Sequence, residues 1–130
     1  MSIAVELDEL RRNIAEIGTD PFLLTVGDDG RSHSVSVAVR WGGDELIVPA
    51  GRHTRTNADA RPLVVLLWPP AQRGEFSLIV DATVTATTTG DAGENSVTVQ
   101  PTSAVLHRPA ASPDARRPGC TSDCVPILRT

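Results

Sequence analysis

Residues 51 to 62 read GRHTRTNADARP. Arg52, His53, Thr54, Arg55 and Asn57 crowd into a junction between a strand-like run, DELIVPA, and an apolar one, LVVLLWPP. Guanidinium groups present forks of charged donors that match the oxygens of a phosphate or carboxylate. Thr54 or Thr56 can cap a single helical turn over residues 57–60, which Pro62 stops. The unpaired N–H groups at the start of such a turn, and the positive end of its dipole, favour an anion. The stretch reads as a phosphate cradle built without a glycine-rich loop. A solvated, capped turn carrying surface arginines accounts for the same residues, and the stretch alone does not choose between the two.

The flanking elements narrow the choice. Phe22 to Val26, FLLTV, reads as a strand, and GDDGR supplies the Asp-Gly turn of a hairpin. The return run SHSVSVAVRW alternates, with Val35, Val37, Val39 and Trp41 on one face and Ser34, Ser36, Ala38 and Arg40 on the other. The small side chains of Ser34 to Ala38 leave room for a flat ring against the sheet; a solvent-facing, serine-rich strand reads the same way. ELIVPA makes a third strand, and with no helix between them these three are expected to form an antiparallel meander. LVVLLW is apolar on both faces, the pattern of a central, doubly covered strand. FSLIVDATVTATTT and SVTVQPTSAVLH complete the set, with Pro101 marking an edge or a bulge. Ahead of all these, Leu7, Leu10, Ile14 and Ile17 follow helical spacing over residues 3–17, with Gly18 as the stop. The expected fold is mainly β: a six-stranded antiparallel barrel with an N-terminal helix and a short crossover helix. It occupies residues 1–108, and a proline-rich, irregular tail occupies 109–130.

Composition limits the partners. The chain has 130 residues, enough for one core, and its net charge of -4 argues against a nucleic-acid binder, which needs a basic face. All twelve basic residues are arginine, so any anion site must be built from guanidinium groups. No run reaches the ~18 apolar residues of a membrane helix, and the N-terminus lacks the pattern of a signal peptide. The expectation is a cytoplasmic protein. Cys120 and Cys124, set among Pro118, Gly119 and Pro126, offer two thiols where structural zinc takes four ligands. A local disulfide or two free thiols is expected there, and no metal. His33, His53 and His107 fall in different elements; His53 lies inside the cradle, while His33 and His107 read as structural or surface residues. No nucleophile-elbow motif is present, and no catalytic acid–base pair stands out.

The order of these parts resembles a known family. Strand, Asp-Gly hairpin, strand, third strand, then G-x-x-T-x-x-N from Gly51 to Asn57, Arg61-Pro62 and an apolar strand is similar to the pyridoxamine 5'-phosphate oxidase-like split β-barrel proteins. The match runs from about Val5 to His107. The resemblance implies a homodimer with two coenzyme sites at the subunit interface. It implies either flavin mononucleotide (FMN) or the 8-hydroxy-5-deazaflavin coenzyme (factor 420) as cofactor, and a flavin or deazaflavin oxidoreductase acting on a small organic molecule. By the same resemblance Arg52, Thr54, Arg55 and Asn57 hold the phosphate, and Ser34, Val35, Ser36 and Val37 line the ring; His53, inside the cradle, is a further candidate donor to the phosphate, and a solvent-exposed loop histidine reads the same way. The chain departs from true pyridoxamine phosphate oxidases: it lacks the extra basic residues for a substrate phosphate and their longer C-terminal segment. Oxidation of pyridoxamine phosphate is therefore not expected. A second reading is a non-catalytic barrel that binds a cofactor or haem, with His53 or His107 as axial ligand. A third is a bare scaffold with no ligand.

Overall fold

The computed structural model describes residues 1–18, 20–90 and 94–109. Alternation of side chains lays down most of the strands. β1 is Ser2–Ala4, β2 Phe22–Val26, β3 Ser32–Ser36, β4 Arg40–Gly42, β5 Glu45–Pro49, β6 Leu63–Trp68, β7 Ser77–Thr88 and β8 Ser96–His107. Helix α1 covers Leu10–Ile17 and α2 covers Arg52–Ala60. The sheet runs β3-β2-β6-β7-β8-β5-β4, every pair antiparallel, with β1 added alongside β8.

Several expectations hold in detail. The β2–β3 hairpin closes with Gly27 N–H on Arg31 O and Gly30 N–H on Gly27 O, and Gly30 takes the left-handed φ of 82°. Gly18 ends α1 in the same region, at φ 68° and ψ 15°. The register of β7 on β8 shifts between Asp81 and Ala82, which face Ser103 and Pro101, so Thr102 is the extra residue of a bulge. Pro101 falls where the second edge of β8 has left β5, paired through Val99, and has not yet met β1, paired from Val105. A residue without an N–H loses nothing there.

Other expectations are corrected. Among the described residues there are eight strands where the spacing gave six, and the strand order does not close on itself. One extra strand is β1, in a segment assigned to the helix: residues 2–4 pair with the free end of β8, a sheet edge that a local helix pattern cannot anticipate. The other arises because SHSVSVAVRW divides. β3 pairs with β2, whereas β4 pairs with β5, and β5 lies against β8 rather than β3. The three-strand meander is therefore two hairpins at opposite ends of the sheet. Val37–Val39 joins them, and the four residue steps from Ser36 to Arg40 span at most about 14 Å. The two sheet edges are thus tethered close together, and the sheet curls into a split barrel.

The barrel interior holds Leu23, Leu46, Val48, Leu66, Trp68, Leu78, Val80, Val97 and Val99, all at 1% exposure or less. Trp68 is a core residue. From α1, Leu10 is buried and Ile14 and Ile17 pack against the core, while Leu7 stays 46% exposed in the short turn before it. Strand β6 is central, between β2 and β7, but only one of its faces is enclosed. Val64, Leu66 and Trp68 are buried; Val65 and Leu67 are half-buried and Leu63 is 73% exposed. Helix α2 packs against β2, β7 and β8 and buries Thr54, Asn57 and Ala58. Among the described residues no helix is long and apolar enough to cross a membrane.

Candidate functional site

The junction at residues 51–62 holds a helix rather than a single turn. α2 runs for nine residues from Arg52, and Gly51 occupies its N-cap in an extended conformation with no side-chain cap bond. The expected threonine cap is absent because the helix starts upstream of both threonines. Thr54 is its third residue, with its hydroxyl turned inward, and Thr56 is exposed. The first helical bond is Arg55 N–H to Gly51 O, at 3.0 Å. The N–H groups of Arg52, His53 and Thr54 therefore precede the ladder, and no acidic residue stands in the first turn. In a chain of net charge -4, this end of α2 is a local concentration of positive potential.

The side chains divide into three groups. Arg52 and His53 are exposed at the mouth, and the Arg52 guanidinium has no partner among the described residues. Arg55 is half-buried and donates from Nη1 to Ala50 O at 2.7 Å, bracing the turn that leads into the helix. Thr54 and Asn57, each 3% exposed, point the other way, toward the sheet. Asn57 Nδ2 donates to Thr25 Oγ1 (3.2 Å), and Thr25 is fully buried. Thr54 Oγ1 lies 3.3 Å from His33 Nε2, and the rings of His33 and His53 stack with centroids 4.6 Å apart and planes 21° from parallel. A chain of polar contacts thus anchors α2 to the β2–β3 hairpin, satisfying groups that would be costly to bury unpaired.

His33 is the residue that sequence reasoning placed elsewhere. Two signals point to it: it shares the inward face of Val35, and it sits directly opposite Thr25, a polar residue at an inward position of β2. The residues expected to line a ring fall on both faces of β3. Val35 and Val37 are half-buried toward the core, with Val37 just past the strand and its N–H on Pro21 O, whereas Ser34 and Ser36 are exposed on the outside. β3 is an edge strand, so its outer backbone groups are not used by the sheet. The mouth of α2 and the serine face lie on opposite sides of that edge.

The remaining histidine is remote from this cluster. His107 lies at the β1–β8 pairing, with Nδ1 3.1 Å from Ser2 Oγ. A separate cleft of about 470 Å³, lined by Leu7, Arg11, Trp41, Asp44 and Gln100 among others, opens beside the β4–β5 turn. There the Arg11 guanidinium covers the Trp41 ring at 4.2 Å. Cys120 and Cys124, and the tail beyond Pro109, lie outside the described residues.

No family model matches the chain. Two curated relatives do, an uncharacterized protein of Mycobacterium bovis and one of Mycobacterium tuberculosis. Each is 39% identical over 135 residues, covering 90% of this chain and 92% of the relative. Among solved structures the chain is similar to a factor 420 (F420) reductase, with a TM-score of 0.58 at 18% identity, over 72% of this chain and 94% of that one. It is also similar to the FAD binding protein from Mycobacterium smegmatis, with a TM-score of 0.57 at 15% identity, over 83% of this chain and 100% of that one. A candidate 5-nitroimidazole antibiotic resistance protein from Bacteroides thetaiotaomicron has a TM-score of 0.53 at 13% identity, over 82% of this chain and 88% of that one. At these identities the likeness is one of fold.

Proposed function

The chain belongs to the same family as these two mycobacterial proteins, and we propose that it is a flavin- or deazaflavin-dependent oxidoreductase that grips its coenzyme by a phosphoryl group at the start of α2. The observation that carries this reading is the bare helix N-terminus: three leading N–H groups, no side-chain cap, no acid in the first turn, and Arg52 and His53 exposed beside it. The fold neighbours support it, since two of them are named for factor 420 and for FAD. FMN, FAD and the deazaflavin coenzyme share a tricyclic ring joined through a ribityl chain to a phosphoryl group. A site that recognises that group serves any of them, and the choice between FMN and the deazaflavin is left to the ring contacts.

Each residue then has a task. Arg52 and the leading amides bind the phosphoryl oxygens, and His53 adds a donor at the same mouth. Arg55 holds the Pro49–Gly51 approach through Ala50 O and keeps further guanidinium N–H groups for the anion. Asn57, bonded to Thr25, and Thr54, beside His33, fix the angle of α2 rather than touch the ligand. From that mouth the coenzyme rounds the free backbone edge of β3, which offers hydrogen-bonding groups, and Ser34 and Ser36 beyond the edge offer a flat surface for the ring. The bound coenzyme supplies the hydride-exchanging atom, and the protein contributes position and electrostatics toward a small organic substrate.

Titrating the purified protein with FMN and with the deazaflavin coenzyme, read by quenching of coenzyme fluorescence, tests the proposal. Saturable binding of at least one, weakened about tenfold by Arg52→Ala, is expected. That factor corresponds to the low end of about 1.5–3 kcal/mol for a hydrogen bond to a charged group. A Soret band on adding haem, or no response to either coenzyme, would reject it.

A further inference from the structure

We propose that the chain carries a second ligand site, a cleft at the end of β8 shaped and charged for a free α-amino acid with an apolar side chain. The cleft has a volume of about 450 Å³, within the range of small-molecule sites. It opens between the end of α1, the loop ahead of β7 and the end of β8. Ile17, Phe76 and Leu106, all half-buried, make its apolar floor, and Glu16, Glu75 and Arg108 supply its charge. The length of β8 separates it from the mouth of α2. Ser96, at one end of that strand, pairs with Pro49 just ahead of the helix, and His107, at the other end, adjoins Arg108.

Arg108 is the residue left unsatisfied. Its guanidinium lies over the Phe76 ring, with Cζ 4.6 Å from the centroid. Nε is buried and has no hydrogen-bond partner, a costly state for a charged donor. A carboxylate takes a fork of two N–H groups, and turning the guanidinium to offer Nε and one terminal nitrogen gives Nε the bond it lacks. Glu16 and Glu75, both exposed, have no ion-pair partner among the described residues. These two carboxylates decide between ligands. A simple organic acid meets their repulsion on its way to Arg108, and a simple amine meets the guanidinium. An α-amino acid brings both charges on one carbon. Its ammonium, with three donors, serves the two glutamates while its carboxylate takes the guanidinium. The apolar side chain then covers Phe76 and Leu106. The site stands apart from the coenzyme reading, because it uses none of the residues around α2.

Titrating the coenzyme-free full chain with L-leucine, followed by NMR, tests it through the Arg108 Nε–H signal. L-leucine should move that signal saturably, and those of Phe76 and Leu106 with it. Isocaproate, which lacks the ammonium, and isoamylamine, which lacks the carboxylate, should each bind at least about tenfold more weakly. Read at Leu106, Arg108→Gln should weaken L-leucine about tenfold, and Glu16→Gln with Glu75→Gln together about as much, with circular dichroism unchanged. Arg108→Lys, which keeps the charge without the fork, should recover little of the loss. No saturation by L-leucine below about 10 mM, equal binding of isocaproate, or binding indifferent to Arg108→Gln would overturn the proposal. Failure to bind FMN or the deazaflavin, by contrast, would count against the coenzyme reading alone.

Discussion

Replacing Asn57 by alanine separates holding the ligand from holding the helix. The Asn57 amide is 3% exposed and donates to Thr25 Oγ1, which is fully buried. The substitution leaves the Thr25 hydroxyl without that partner in a place water does not reach, at a cost of about 1–3 kcal/mol. Lost packing under α2 adds to it, so about 2 kcal/mol is a moderate expectation. For a domain of this size that lowers Tm by roughly 6–12 °C. Calorimetry on coenzyme-free protein reads it directly, with urea unfolding as a second probe. Coenzyme affinity should fall only modestly, as far as a looser α2 misplaces its leading amides. The reasoning fails if Tm is unchanged while affinity collapses, because Asn57 would then be a ligand contact and not a brace.

Three other perturbations follow from the same geometry. Gly30→Ala places a Cβ at φ 82° in the β2–β3 turn and should cost about 1–2 kcal/mol in urea unfolding, with coenzyme affinity little altered. Trp68→Ala, in the core at 1% exposure, should cost about 3–5 kcal/mol. Trp41→Ala, in the half-buried cleft under Arg11, should cost clearly less, a contrast visible in paired thermal melts. Coenzyme affinity should drop as salt rises from 0.05 to 0.5 M, since the exposed Arg52 charge is screened over about a Debye length; a flat salt response would argue against a phosphoryl grip.

Local chemistry written into the chain is what the sequence conveyed best. The Asp-Gly turn, the Gly18 stop and the bulge at Pro101 each depend on one residue's backbone preference, and each is where it was expected. Partner choice was not legible. From His33 to Trp41 inward and outward residues alternate without a break, yet β3 and β4 join different neighbours, because a continuous pleat looks the same whichever strand it pairs with. The three residues of β1 are too few to show a period, and only the unpaired end of β8 makes them a strand. Helix α2 was underestimated for another reason. His, Thr, Asn and Asp are weak helix formers, and this helix is held by burying Thr54, Asn57 and Ala58 against the barrel. The same packing turns the Asn57 amide toward Thr25 and sets Thr54 beside His33, neither of which spacing along the chain can reveal.

Backbone amide shifts in a two-dimensional NMR spectrum, followed as FMN and then the deazaflavin coenzyme are added, address the central claim without any mutation. The account predicts that the N–H signals of Arg52, His53 and Thr54 move furthest, with Ser34 and Ser36 next. Shifts gathered instead around Trp41 and Gln100, with the start of α2 silent, would contradict it.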